Sequence, residues 1–168
     1  MNKIAKFEKV SLEQFKKVKT DNYTDAEWVD IYNNISLPQR ATVGSAGYDF
    51  KSPFDFTLNP GETILIPTGI RCKMENEYVL MIFPRSGLGF KYRLQLDNTV
   101  GIIDADYYYS DNEGHIMFKI TNDTHSNKVL EVKAGSGICQ GIFMQYGITI
   151  DDSTTAVRNG GFGSTDKK

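Results

Sequence analysis

From residue 41 onward the apolar residues come in short runs, several of them alternating with polar ones, and the runs are separated by turn signals. Tyr48-Asp49-Phe50 leads to a turn at Ser52-Pro53. Phe54 to Leu58 alternates and meets Asn59-Pro60-Gly61-Glu62, where Pro presets φ and Gly supplies the positive φ of a tight turn. Thr63 to Pro67, Gly69 to Met74, His115 to Thr121, Val129 to Val132 and Ile138 to Tyr146 are further strand candidates, and Tyr78 to Phe83 is an apolar run of buried-strand length. Many short strands at this spacing predict a sandwich or barrel rather than a βαβ fold.

The first part of the chain has a different rhythm. Phe7 to Val10 reads as a short strand. Ser11 followed by Gln14 is a capping-box signature and opens a helix through about Val18. Thr24 and Glu27 repeat it and open a second helix with Trp28, Ile31 and Tyr32 on one face, which Pro38 ends. Trp28 reads as a packing anchor. The expected organisation is an extension over residues 1–40 packed on the main body, a β domain over 41–150, and a flexible arm over 151–168, whose end from Arg158 onward is Gly-rich and polar.

Composition narrows the function classes. The 168 residues fit one domain, and 15 glycines with 12% aromatics favour strands and tight turns. A net charge of −2 argues against a basic stripe for duplex nucleic acid, so any polyanion must be met by a few local cations. Cys72 and Cys139 follow no metal spacing and are expected as reduced, partly buried thiols. His115 and His125 lack partners at zinc spacing. The opening MNKIAKFEKV has no apolar core of a signal peptide and no apolar run approaches membrane-spanning length, so a cytoplasmic location is expected.

Four segments carry candidate chemistry. Pro84-Arg85-Ser86-Gly87-Leu88-Gly89 offers an Arg, a hydroxyl and Gly-exposed amides in one turn: an anion cradle, or a plain Gly-rich turn with a surface Arg. Gly101-Ile102-Ile103-Asp104-Ala105-Asp106-Tyr107 places two carboxylates on the same side of an extended chain. One can orient a water while the other is structural, and Tyr107 is a core aromatic or a wall against a sugar. Gly160-Gly161-Phe162-Gly163-Ser164-Thr165 combines flexibility, hydroxyls and an aromatic able to stack on a ring, without the spacing or Lys of a Walker A loop. Asp111-Asn112-Glu113 reads as a solvated loop tip, with a weak cation site conceivable.

In order along the chain, SAGYD, PRSGLG, NTVGIIDADY, GICQGIF and GGFGST resemble the five motifs of the trimeric dUTPase family, over residues from about Ala41 to Thr165. The resemblance implies an all-β, distorted jelly-roll or β-barrel subunit with a short helical N-terminal extension and a mobile C-terminal arm. It implies a homotrimer whose shared sites take the first, second and fourth motifs from one subunit, the third from another and the arm from a third. The implied reaction is Mg²⁺-dependent hydrolysis of dUTP to dUMP and pyrophosphate, which keeps uracil out of DNA and supplies dUMP for dTMP synthesis.

By resemblance, Asp104 orients and deprotonates the attacking water. Asn98 and the backbone of Gly101, Ile102 and Ile103 bind uracil, with Met117 near the base edge. Tyr107 packs under the deoxyribose. Arg85, Ser86 and Gly87 bind phosphate. Gln140 lies near the α-phosphate and metal waters, and Asp49 supports that network, the Mg²⁺ being held mainly by substrate phosphates and water. Asp106 supports the site. Arg158, Phe162, Gly163, Ser164 and Thr165 form the arm that stacks on uracil and closes over the γ-phosphate.

The chain departs from the family pattern in three places. Tyr108 through Glu113 are extra residues and predict a longer hairpin tip. Gly135-Ser136-Gly137 lacks two charges usual before the fourth motif. Arg158 stands one residue closer to Phe162 than usual. Two other readings share the scaffold: a dCTP deaminase, and a regulatory module that binds a partner protein through residues 1–40 and 108–113.

Overall fold

The computed structural model describes residues 2–18 and 22–160. In chain order its elements are β1 (Ala5–Lys9), α1 (Leu12–Lys16), α2 (Asp25–Asn34), β2 (Gln39–Arg40), β3 (Tyr48–Lys51), β4 (Phe56–Leu58), β5 (Thr63–Met74), β6 (Tyr78–Pro84), α3 (Ser86–Tyr92), β7 (Leu94–Leu96), β8 (Gly101–Ile103), a 3-10 helix (Ala105–Tyr109), β9 (Ile116–Asn122), β10 (Leu130–Val132) and β11 (Gly137–Gln145). The strands are antiparallel and form three sheets, ordered β1-β5-β9-β7, β10-β4 and β2-β3-β11-β6-β8. The arrangement is jelly-roll-like, and its sheets stay open rather than closing into a barrel.

Alternation explains how the two larger sheets stack. In β9 the burial pattern puts Ile116, Phe118 and Ile120 inside, and in β6 Leu80 and Ile82 are inside. Phe50 of β3 meets Phe118 of β9 edge-on with ring centroids 5.3 Å apart, which ties the five-stranded sheet to the four-stranded one. Phe7 of β1 packs on Tyr48, Phe50 and Phe143 at 5.4 to 5.8 Å. The N-terminal segment therefore contributes both an edge strand and core.

Both expected helix starts are present, with one difference. Thr24 caps α2 in a complete capping box with Glu27. At α1, Ser11 accepts from the Gln14 amide at 3.0 Å, but the reciprocal partner is Glu113, whose carboxylate accepts from the Ser11 amide (2.8 Å) and hydroxyl (2.5 Å). Gln14 is buried instead. Trp28 is fully buried against Phe15, Tyr23 and Phe54.

Two strands expected on either side of Thr68 are one strand, β5, with an irregularity between Pro67 and Ile70. The Gly69 amide left over by that break donates to His115 Nε2 at 2.9 Å, and the Thr68 hydroxyl donates to the Ile116 carbonyl at 2.6 Å. Cys72 and Cys139 are free and buried. Burial pushes the Cys72 thiol up to about 12 and Cys139 higher still.

Candidate active site

The chemistry-bearing residues fall into two groups, each organised by one strand edge. The first group surrounds β8. This strand lies at the edge of its sheet and pairs only with β6, with Ile103 opposite Leu80 and Gly101 opposite Ile82. One row of backbone N–H and C=O groups along Gly101–Ile103 therefore faces away from the sheet. Gly101 packs closely on β6, and a Cβ there would lie 3.0 Å from the Ile82 Cβ, so that Ile82 would have to give way by a few tenths of an ångström. The preceding turn is closed by the Thr99 amide donating to the Leu96 carbonyl at 2.8 Å, with Thr99 in the left-handed region at φ 69°. Asn98, Gly101, Ile102, Ile103, Tyr107, Met117 and Arg158 are all walls of one cavity of about 280 Å³.

Tyr107 is the cavity's fixed wall. It is 6% exposed. Its hydroxyl donates to the His115 carbonyl at 2.8 Å and accepts from Asn112 Nδ2 at 2.7 Å. Burial raises the phenol's pKa, against the lowering effect of the Asn112 hydrogen bond.

Asp104 and Asp106 are not on an extended chain. Asp104 is the N-cap of the 3-10 helix and Asp106 lies in its first turn. The two carboxylates are brought together by one guanidinium: Arg158 Nη2 pairs with Asp104, and Arg158 Nε donates to Asp106 at 2.8 Å. The arm continues along the same loop, where the Ser110 hydroxyl donates to the Gly160 carbonyl at 3.3 Å. Phe162, Gly163, Ser164 and Thr165 lie outside the described residues.

The second group sits where β3, β11 and the end of β6 meet. Asp49 and Gln140 are direct cross-strand partners, so their side chains share a face. Gln140 Nε2 donates to the Pro84 carbonyl at 3.5 Å, and Arg85 Nε meets Asp49 at 3.3 Å. The expected Gly-rich turn at Pro84-Arg85-Ser86-Gly87 is a helix start: Arg85 is the N-cap of α3, and Ser86 and Gly87 hold first-turn amides that have no acceptor within the helix. Gly137 makes room for Arg85, because a Cβ there would fall 2.4 Å from Arg85 Nη1. Among the described residues, no hydrogen bond or ion pair joins the two groups. No cluster of three or more His, Cys, Asp or Glu side chains able to hold a metal is present among them either.

The segment Tyr108 through Glu113 is not a free hairpin tip. Its first residues complete the 3-10 helix, and its side chains dock on the N-terminal segment. Tyr108 donates to Glu8 at 2.6 Å and lies under the Arg71 guanidinium at 4.4 Å. Glu113 caps α1, as above, and Asn112 holds Tyr107 rather than sitting in solvent. The Tyr108 hydroxyl, followed by Lys6, keeps the Glu8 carboxyl down at about 2. Sequence reading missed Asn112 because an Asn in a polar loop carries no sign of its partner.

The family model described as dUTPase matches residues 33–166. The deoxyuridine 5′-triphosphate nucleotidohydrolase of Lactococcus lactis is 41% identical over 144 residues, covering 83% of this chain and 95% of that protein. The same-named protein of Paraburkholderia xenovorans is 38% identical over 149 residues, covering 85% and 97%. The crystal structure of a dUTPase from Streptococcus mutans superposes with a TM-score of 0.64 at 35% identity, covering 87% of this chain and 98% of that one. A Staphylococcus bacteriophage 80alpha dUTPase shares the fold at a TM-score of 0.58 and 22% identity, over 75% of this chain and 93% of that one.

Proposed function

This chain belongs to the dUTPase family and hydrolyses dUTP to dUMP, and from that premise we propose how its two groups divide the work. The β8 cavity takes the nucleoside, the Asp49, Arg85 and Gln140 corner takes the triphosphate, and Asp104 activates the water. The single observation that carries this reading is the unpaired backbone row of Gly101–Ile103 opening into a cavity that Asn98 and Tyr107 also line.

Uracil presents acceptor, donor and acceptor along its pairing edge. An edge strand presents donors and acceptors at fixed spacing, held by the pairing of β8 to β6. Cytosine carries an amino donor where uracil carries an oxygen, and would leave a backbone group unpaired in the closed site. Tyr107 lies under the deoxyribose and leaves no room for a 2′-hydroxyl.

Phosphoryl hydrolysis depends on positioning and charge neutralisation more than on covalent help. Asp104 takes a proton from a water that attacks the α-phosphorus. The bond from that phosphorus to the bridging oxygen breaks, and pyrophosphate leaves with the bond's electron pair. Arg158, which bridges Asp104 and Asp106 in the free chain, turns to the triphosphate when substrate binds.

Asp49 and Gln140 offer oxygens on one face, and the described residues hold no carboxylate cage. Those two side chains would hold the waters of a Mg²⁺ carried chiefly by the substrate's phosphates. When bound, the ion neutralises charge on the phosphate oxygens. The 3-10 loop, Arg85 and the arm bind and orient what surrounds it.

A homotrimer accounts for the two groups: the Asp49, Arg85 and Gln140 corner comes from one subunit, the β8 cavity with Asp104 from a second, and the arm with Arg158 from a third. Large apolar side chains exposed on the single chain, including Phe90 of α3, Met144, Tyr146 and Ile148, support such an assembly. Among the described residues, no helix is long and apolar enough to cross a membrane.

The test is pyrophosphate release from dUTP with Mg²⁺, against dCTP, dTTP and UTP, for the wild type and Asp104→Asn. Selective dUTP turnover that falls about 10²- to 10⁴-fold in the variant is expected. Turnover that survives the substitution removes Asp104 as the base.

A further inference from the structure

We propose that Asn112 is a positioning residue for the sugar wall: through its bond to the Tyr107 hydroxyl it sets the depth of the nucleoside cavity and hence the preference for deoxyribose over ribose. The proposal rests on the reading of Tyr107 as that wall. It adds a residue from the segment that departs from the family pattern.

The geometry makes Asn112 a strut with both ends tied. Its amide nitrogen donates to the Tyr107 hydroxyl at 2.7 Å, and its amide oxygen accepts from the Gly114 amide at 3.2 Å. The Tyr107 hydroxyl in turn donates a hydrogen bond to the His115 carbonyl at 2.8 Å. The hydroxyl is therefore gripped from two sides, by a donor and an acceptor, and the ring loses its freedom to slide along the cavity.

The strut itself is anchored. The Ser110 amide donates to the Tyr107 carbonyl at 3.0 Å, the Glu113 amide to the Ser110 carbonyl at 2.8 Å, and the His115 amide to the Asn112 carbonyl at 3.1 Å. Glu113 accepts from Ser11 at the start of α1, and Tyr108 donates to Glu8 of β1. Residues 107 to 115 thus form a closed loop fastened to the N-terminal segment. Excluding one hydroxyl depends on a wall that does not yield, and a wall fixed at one end only would move aside.

The experiment measures kcat and KM for dUTP and UTP with Mg²⁺ in the trimmed pair Tyr107→Phe and Asn112→Leu, their double variant, and Tyr107→Ala. Asn112→Leu is expected to raise KM for dUTP about tenfold, leave kcat within about threefold, and cut the preference for dUTP over UTP about tenfold. The double variant is expected near either single variant, well short of their product, because both changes break the same bond between Asn112 and Tyr107. If Asn112→Leu does not fold, Asn112→Asp serves: it keeps the acceptor for Gly114 and removes the donor to Tyr107, and the same loss of preference is expected.

Lower thermal stability with the dUTP preference intact in the Asn112 variants, while Tyr107→Ala loses that preference, overturns the proposal. Retention of the full preference by Tyr107→Ala overturns the sugar-wall reading beneath it.

Discussion

In the cavity proposed for the nucleoside Tyr107 is 6% exposed and its hydroxyl makes two hydrogen bonds under 3 Å, whereas at the corner proposed for the triphosphate Arg85 keeps 45% of its side chain exposed and meets Asp49 at 3.3 Å. Gln140 is also loosely held, at 3.5 Å from the Pro84 carbonyl. The cavity is built from strand backbone and buried side chains, and the corner from side-chain tips. Discriminating a base and a sugar requires donors that stay put when the wrong ligand arrives. A triphosphate with a hydrated cation has many oxygens and no single shape, so mobile cations can adjust to it. The contrast predicts that damage to the cavity shows first in stability and KM, and damage to the corner in turnover.

The largest effect is expected at Gly114. Its φ is +68°, and an added Cβ would lie 2.7 Å from both the Tyr107 carbonyl oxygen and the Tyr108 Cα. Those neighbours are backbone and cannot rotate away. Gly114→Ala should destabilise the protein by about 4 kcal/mol, from the left-handed strain and the overpacking together. Urea unfolding checks it, and a loss below about 1 kcal/mol contradicts the rigid account of the loop.

The next effect is pH-dependent and belongs to the same loop. His115 is fully buried, accepts from the Gly69 amide through Nε2, and its Nδ1 has no partner among the described residues. Burial holds its pKa down at about 4, against 6.5 when unfolded. Between those values the unfolded chain takes up a proton that the folded chain refuses. Stability therefore falls as pH drops from about 6.5 to about 4, by roughly 3 kcal/mol, and is unaffected by this group above 6.5. Glu8 adds a further loss below 4.5, since its folded carboxyl titrates near 2. His115→Gln retains an acceptor for Gly69 and should flatten the slope between pH 6.5 and 4. An unchanged slope would assign it to other groups.

The contrast also governs what the sequence disclosed. Alternation located β9, β10 and β11, an apolar run of buried-strand length located β6, and the capping signatures located α1 and α2. Pro84 to Gly89 reads as a Gly-rich turn because its two glycines are poor helix formers, yet Ser86–Tyr92 closes into α3 behind the Arg85 N-cap. The candidate residues themselves stand out as types in order: Asp104, Tyr107 and Arg85 carry chemistry that few other positions offer. Their holders do not. Asn112, Glu113 and His115 act through partners distant in sequence or through backbone, and Ser11 lies 102 residues from the carboxylate that caps it.

The smallest effect sharpens the comparison from the other side. Gly137 lies on β11, and a Cβ added there would meet Arg85 at Nη1 (2.4 Å), Cδ (2.9 Å) and Cζ (3.1 Å). All three are atoms of a half-exposed, flexible side chain. Arg85 can swing outward, so Gly137→Ala should cost under about 1 kcal/mol in unfolding, the range of ordinary surface substitutions. The displaced guanidinium no longer meets Asp49. Because a shift of about 1 Å in a positioned group costs as much as about 10²-fold, kcat/KM for dUTP should fall about 10- to 100-fold, with the preference over UTP and dCTP unchanged. Gly114→Ala and Gly137→Ala thus make opposite demands: one glycine guards backbone against backbone, the other leaves space for a mobile cation. If Gly137→Ala proved as destabilising as Gly114→Ala, Arg85 would be as firmly held as Tyr107, and the division into a rigid cavity and an adaptable corner would fail.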